Sequence, residues 1–300
     1  MSATRRAYLE LNFAVLLFGL TAILGDLISL SAVVLVWWRV LLTSLSLLKV
    51  VNWHHLLHEL PRRVLWQLAG IGVLVALHWL TFFGAIKLAN ASIALICFAT
   101  TAVFTAFLEP LILRQRIKGY EIFLGLLVIP GMVLVVQNTR WDMMAGMAVG
   151  LLSAFLASLF GTLNKRLISR TDPLNITFVE LSSAWLFLCP ILPAYLYLNP
   201  GEAFWPTWSD WKYLFVLAWL CTTVGYWLAV RALRHLSAFA TNLTINLEPI
   251  YGILLAIWIL GEHKELSPRF YLGGGLILLT IFTYPFLRRR FAAKTLPKGS

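Results

Sequence analysis

Seven stretches of this 300-residue chain run for 18 or more residues without a charged side chain: 64–86, 88–108, 122–139, 143–164, 181–201, 213–230 and 270–287. A helix of about 20 apolar residues crosses the ~30 Å hydrocarbon core of a bilayer, and it satisfies its own backbone polar groups on the way. Three further segments are as apolar but short or interrupted: 11–30, which contains Asp26, 33–51 around Arg39, and 237–261 around Glu248. Ten membrane helices are therefore predicted. The runs are continuous rather than alternating apolar and polar, so a closed β-barrel is excluded. Composition agrees. At 60% hydrophobic and 12% charged residues, the chain has about half the charge of a soluble domain, too little to wet a globular surface.

The distribution of basic residues sets an orientation. With the N-terminus cytoplasmic, 18 of the 24 Lys and Arg fall in cytoplasmic segments and 5 on the other side, leaving Arg39 inside a span. The positive-inside rule then predicts both termini in the cytoplasm and an even number of spans. It also disposes of nucleic acid as the partner implied by the +11 charge: the cations sit in short connectors between apolar runs, not on one solvated face. The stretch MSATRRAYLELNF reads as the flank of a first membrane helix, not a removed signal peptide. Cys97, Cys189 and Cys221 lie inside apolar runs with no CxxC pair and read as small buried hydrophobes.

The third and fourth predicted helices overlay the eighth and ninth at a constant offset. Trp79 meets Tyr226, Ala85 meets Ala232, Lys87 meets Arg234, Ala91 meets Ala238 and Phe104 meets Tyr251. The halves, 1–140 and 141–300, would carry five helices each. An odd number per half forces opposite orientations, the inverted repeat of many secondary transporters, with a substrate site near the midplane between the repeats.

Two segments carry a family likeness. The first half holds His78-Trp79-Leu80-Thr81-Phe82-Phe83-Gly84-Ala85-Ile86-Lys87, then Ala91-Ser92 and TTAVFTAFLEPLILRQR at 100–116; the second holds Leu247-Glu248-Pro249, Gly261-Glu262 and Gly273-Gly274-Gly275. In their order and spacing these resemble the drug/metabolite transporter superfamily, EamA type. The resemblance implies an all-α membrane protein of ten helices in two inverted five-helix repeats. It implies a secondary carrier, often an exporter of amino acids or other small metabolites. The first half departs from the pattern, with Ala102 at the position of Pro249 and Gln115 at that of Glu262. A mid-helix kink and a terminal carboxylate are therefore expected in the second half only.

Ionisable groups inside spans cost roughly 2.5–3.5 kcal/mol each on insertion scales and persist where they face a cavity, pair or do work. Glu248, followed by the helix-breaking Pro249, lies near the midplane and reads either as a cavity-lining, proton-coupling carboxyl or as a neutral acid bonded to a freed backbone carbonyl. Asn242 and Asn246 share one stripe of the same helix and serve either substrate contact or helix association. Glu248 is offset from that stripe. His78 reads as a solute or proton ligand or as a structural hydrogen-bonder, with Trp79, Phe82 and Phe98 as an apolar wall beside it. Arg39 and Glu180 occupy matching places in the second and seventh helices, but at depths too different to pair; they are candidates, with Glu248 and Pro249, for coupling or gating. Glu109 is expected to snorkel toward Arg114 or Lys118. Gly125, Gly131, Gly150 and Gly273–Gly275 should permit close helix packing.

No catalytic residues, cofactor or metal are expected, since no His/Cys/Asp cluster has ligand spacing and no glycine loop follows a strand. The leading reading is an alternating-access carrier in a bacterial inner membrane, with a small-molecule substrate and the lipid bilayer as partners. The alternative is an intramembrane enzyme acting on lipid.

Overall fold

The structure is a computed structural model that describes residues 2–137, 141–245, 247–261 and 268–295. Among them there is no strand. The chain runs through α1 (Ala3–Leu27), α2 (Ala32–Leu47), α3 (Arg62–Leu88), α4 (Ala91–Phe98), α5 (Thr101–Leu113) and α6 (Gly119–Gln137). It continues through α7 (Met144–Leu167), α8 (Pro173–Leu198), α9 (Trp208–Phe215), α10 (Gly225–Ala232), α11 (Ala238–Ile245), α12 (Glu248–Leu255) and α13 (Pro268–Thr295). A π-helical stretch, Val216–Val224, joins α9 to α10, and another, Ala256–Leu260, extends α12. Among the described residues, seven of the resulting rods are long and apolar enough to cross a membrane, and α2 is a shorter apolar helix.

Side chains at the connectors explain the helix boundaries. Asn90 caps α4 by accepting the Ile93 N–H at 2.8 Å. Thr207 and Asp210 form a reciprocal capping box at the start of α9, satisfying orphan donors there. Asp172 caps α8 and Pro173 opens it, a position where the missing N–H costs nothing. That helix therefore begins well before the apolar window at 181, which Glu180 had cut short. In the π-helical stretch the hydroxyls of Thr222 and Thr223 bond carbonyls one wide turn back, Leu217 at 2.6 Å and Ala218 at 3.0 Å, and so hold that turn.

The connectors assort to two ends of the helical body. At one, Ser29 and its backbone N–H both donate to the Asp210 carboxylate at 2.7 Å, and Lys87 donates to the Ile28 carbonyl at 2.7 Å. At the other, the Asn52 N–H donates to the Asn175 side chain at 3.2 Å, and Glu10 bridges Arg6 at 2.8 Å and Arg231 at 3.3 Å. Glu109 does not snorkel. It is 2% exposed, and its carboxylate accepts the N–H groups of Ala238 at 3.2 Å and Phe239 at 2.6 Å. The first turn of α11 offers unpaired donors and partial positive charge at that point, which hold a carboxylate better than an exposed arginine does.

Elements in register between the two halves share more than their ends. Ala91–Leu113 and Ala238–Leu260 correspond at both termini. Both rods are interrupted, at Ala99–Thr100 and between Ile245 and Glu248. Thr100 and Leu247, which precede the second half-helices, have nearly the same backbone, φ −71°, ψ −6° and φ −74°, ψ −16°. The expectation of a kink in the second half alone is thus corrected. Ala102 supplies no proline, but the hydroxyl of Thr100 bonds the Cys97 carbonyl at 2.7 Å, and that of Thr101 bonds the Phe98 carbonyl. The Cys97 carbonyl accepts the Thr100 N–H as well, at 3.1 Å, so short-range bonds replace the regular helix ladder at the break. The rods end alike too, Arg114 (φ 53°) and Gly261 (φ 71°) both being left-handed. Glu262 lies outside the described residues.

Without a hydrophobic force between helices in lipid, close backbone approach is what holds them. A Cβ on Gly72 would collide with the backbone carbonyl of Glu180 where α3 crosses α8, and one on Gly19 would come within 2.8 Å of the Tyr251 Cβ where α1 crosses α12. Of the glycines singled out by sequence, Gly150 abuts the Cys97 Cβ (2.9 Å), Gly125 the Val103 backbone (3.2 Å) and Gly274 the Ile96 side chain (3.2 Å). Gly275 meets nothing within 4 Å, because it points away from the helix contact its neighbour makes.

Candidate functional site

The two half-helix junctions, α10 and the middles of α1, α2, α3 and α7 surround a cavity of about 90 Å3, the size of a few water molecules. Its wall is aromatic: Phe18, Trp79, Phe82, Phe98, Phe160 and Tyr226. Its polar groups are Thr21, Arg39, His78, Asn242 and Glu248. A space of this kind, apolar with a few convergent polar groups, is the usual form of a small-molecule site.

Arg39 is 2% exposed. Its Nε donates to Thr222 Oγ1 at 2.7 Å, the hydroxyl that also closes the π-helical turn. Its guanidinium carbon lies 4.1 Å from the centre of the Trp79 ring and 5.3 Å from that of Phe83, which suits a planar cation on π faces. Its Nη1 is buried without a hydrogen-bond partner, where an orphan donor is costly. Glu248, 4% exposed, attracts Arg39 electrostatically. No ion pair or hydrogen bond of its carboxyl is found among the described residues. Glu248 stands in the first turn of α12, where the helix dipole favours negative charge. A cation and an acid thus share the cavity without neutralising each other by contact.

His78 is held from one side. Its Nδ1 lies 3.0 Å from the Ser153 carbonyl and 2.9 Å from Ser153 Oγ, and Ser153 Oγ donates to the His78 carbonyl at 3.2 Å. Because a carbonyl only accepts, Nδ1 carries the proton and Nε2 keeps a lone pair. The ring is packed against Phe98 and Phe160, with centroids 5.5 and 5.4 Å apart. Asn242 donates to Thr105 Oγ1 at 2.8 Å, and that oxygen lies 2.8 Å from Ser158 Oγ, so one amide ties α11, α5 and α7 together while lining the cavity.

The structure brings His78, Trp79, Phe82, Phe98, Asn242, Glu248 and Arg39 together around this space. Glu180 is not part of the lining. It is fully buried behind Tyr226, whose hydroxyl donates to its Oε2 at 2.6 Å, beside Asn164 Nδ2 at 3.1 Å; its Oε1 has no partner. Arg39 and Glu180 do not pair, as their depths predicted. Asn246 and the Pro249 side chain lie outside what the structure describes, although the Pro249 backbone is in the first turn of α12. Sequence reasoning missed Phe18, Thr21, Phe160 and Tyr226. Only Tyr226 had a signal, its register with Trp79.

The EamA-like transporter family matches the chain twice, over residues 6–137 and 144–284. No curated protein matches. A solved structure whose title reads only "Crystal structure of protein" aligns with 96% of this chain and 99% of its own, with a TM-score of 0.69 and 15% identity. At that identity the likeness is one of fold.

Proposed function

The chain belongs to the EamA-like transporter family, within the drug/metabolite transporter superfamily, and from that premise we propose that it is a secondary carrier that moves a small zwitterionic metabolite such as an amino acid by alternating access. The observation that carries the solute class is the buried, unpartnered Nη1 of Arg39 in a cavity that also holds the Glu248 carboxyl. A solute carboxylate satisfies the guanidinium, its ammonium group meets Glu248, and its apolar part packs among Phe82, Phe98 and Phe160. Asn242, His78 and Asn246 are the further polar contacts proposed, and Trp79 the face on which Arg39 rests.

The architecture proposed is ten membrane helices in two inverted repeats, 1–140 and 141–300. In support, the family matches each half separately, and the interruptions at Thr100 and Leu247 and the left-handed caps at Arg114 and Gly261 recur in the same register. Rocking of one repeat against the other would open the cavity at the Ser29 end and the Asn52 end in turn. The proposed orientation has the Asn52 end and both termini in the cytoplasm, supported by the basic connectors, and the proposed location is a bacterial inner membrane. Export is the proposed direction. Proton exchange at Glu248 is the proposed coupling step, with Pro249 keeping the adjacent junction deformable and Glu180 bracing Tyr226 against the cavity. Membership of a transporter family disfavours the lipid-acting enzyme.

The test is solute flux in reconstituted vesicles, with and without an imposed pH gradient, across amino acids and their decarboxylated and deaminated analogues. Saturable flux of the zwitterions that falls when either charged group is removed is expected. Equal flux of amines lacking a carboxylate would remove Arg39 from the site.

A further inference from the structure

A second space lies on the flank of the helical body, away from the central cavity. The helices α3 and α7 run antiparallel. Gly146 of α7 packs on Ala85 and Ala89 at one end, and His78 meets Ser153 midway. Toward the Asn52 end the pair opens into a groove of about 240 Å3, between Trp66, Gln67 and Gly70 of α3 and Leu163 and Arg166 of α7. Three features make it amphipathic. Gly70 meets no atom within 4 Å of where a Cβ would stand, which leaves an apolar notch beside Leu163. Trp66 is 76% exposed, within the first turns of α3, the depth at which indole rings mark a membrane–water boundary. Arg166 projects from the last turn of α7 beside the same mouth.

The charge around the mouth is unbalanced. Arg166 lines the mouth, Arg62 and Arg63 open α3 at the same end of the pair, Arg170 follows α7 there, and none of the four has a side-chain hydrogen bond or ion pair among the described residues. The nearest acids in sequence are already engaged, Glu59 by His54 and His55 and Asp172 by Arg234. An unpaired guanidinium at the mouth of an apolar notch, with three further arginines at the same helix ends, calls for a ligand with a phosphate at one end and an acyl chain at the other.

We propose that this groove is a binding site for an anionic phospholipid: the phosphodiester sits against Arg166 and the Gln67 amide, Trp66 flanks the glycerol region, and one acyl chain lies in the Gly70 notch. The site is separate from the solute cavity and stands whether or not that cavity takes a zwitterion.

The experiment is native mass spectrometry and thermal unfolding of the purified chain with dioleoyl phosphatidylglycerol, dioleoyl phosphatidylcholine or inorganic phosphate. Phosphatidylglycerol should be retained in preference to phosphatidylcholine and should raise the unfolding temperature more. Arg166→Ala should cut that preference about fivefold, the worth of one interfacial arginine, and Arg166→Lys should keep part of it. Gly70→Leu fills the notch without touching a charge and should displace both lipids while the solute flux of the carrier persists. Equal retention of the two lipids, or wild-type retention by both Arg166→Ala and Gly70→Leu, would overturn the proposal. So would competition by inorganic phosphate at the lipid's own concentration, which would mark a bare anion site.

Discussion

Trp79 and Tyr226, equivalent residues of the proposed repeat, meet edge to face in the wall of the central cavity with ring centroids 6.0 Å apart. Equivalent residues of an inverted repeat can touch only near its pseudo-twofold axis, so the proposed repeat would have its axis at the cavity wall. Their environments differ in a way that matters for function. Trp79 carries Arg39 on its face, whereas Tyr226 turns its hydroxyl away to Glu180. Two residues in sequence register thus hold different charged partners.

Arg39→Lys tests the anion half of the site. Lysine keeps the charge but loses the planar fork that reaches Thr222 and a carboxylate together. Solute affinity should fall about tenfold, or ~1.4 kcal/mol, the scale of one charge-assisted hydrogen bond. Isothermal titration of the solubilised protein measures it, and unchanged affinity would return Arg39 to a structural role.

Glu248→Gln removes a carboxyl for which no hydrogen bond is found among the described residues, so the fold should survive with its unfolding temperature little changed. Flux driven by the solute gradient should persist, while acceleration by an imposed pH gradient should vanish. A mutant that still follows the pH gradient would show that the coupled proton binds elsewhere.

Lys87 and Arg234 are register partners and make like contacts at opposite ends of the body. Lys87 donates to the carbonyls of Ile28 and Asp26, at 2.7 and 3.4 Å, where α1 ends. Arg234 donates to the Thr171 carbonyl at 3.3 Å and lies 3.5 Å from Asp172, just beyond α7. Each ties the rod that ends beside it to the first helix of its own half. In a chain with its three cysteines replaced by serine and Ala229→Cys in the cavity wall, Lys87→Ala should speed labelling by an impermeant maleimide from the Ser29 side. Arg234→Ala should speed it from the Asn52 side. Equal effects on both sides would refute their role as latches.

Gly72→Ala should destabilise the chain by about 1–3 kcal/mol, because a methyl there meets the Glu180 backbone, which cannot yield without shifting α8. Gly70→Ala, half a turn away in open space, should be neutral or slightly stabilising. Thermal unfolding in one detergent compares the pair, and equal effects would contradict the crossing.

Arg114→Gly should stabilise by about 1 kcal/mol, since the arginine sits at φ 53°, where a Cβ crowds the following carbonyl and glycine does not. The equivalent Gly261 already uses that freedom. A lower unfolding temperature would mean that the arginine side chain contributes more than its backbone costs.

The apolar runs, the cationic connectors and the register between the halves were legible in the amino-acid order, because hydrocarbon thickness and leaflet charge act on local stretches of chain. They sufficed for an all-helical membrane protein and for half of the residues that line the cavity. The interruption at Thr100 was not legible, since a hydroxyl bonding back to its own helix replaces the expected proline. Nor was Glu109 as a cap for α11, because the N–H groups it accepts, those of Ala238 and Phe239, lie in the other half of the sequence. Only the packing of α1, α2, α3, α7, α10 and α12 decided that Arg39 shares its cavity with Glu248 rather than Glu180 and keeps a free N–H. A residue's depth follows from its place in a helix, but which way it faces is set by helix rotation, and close-packed crossings such as that of Gly72 with Glu180 determine it.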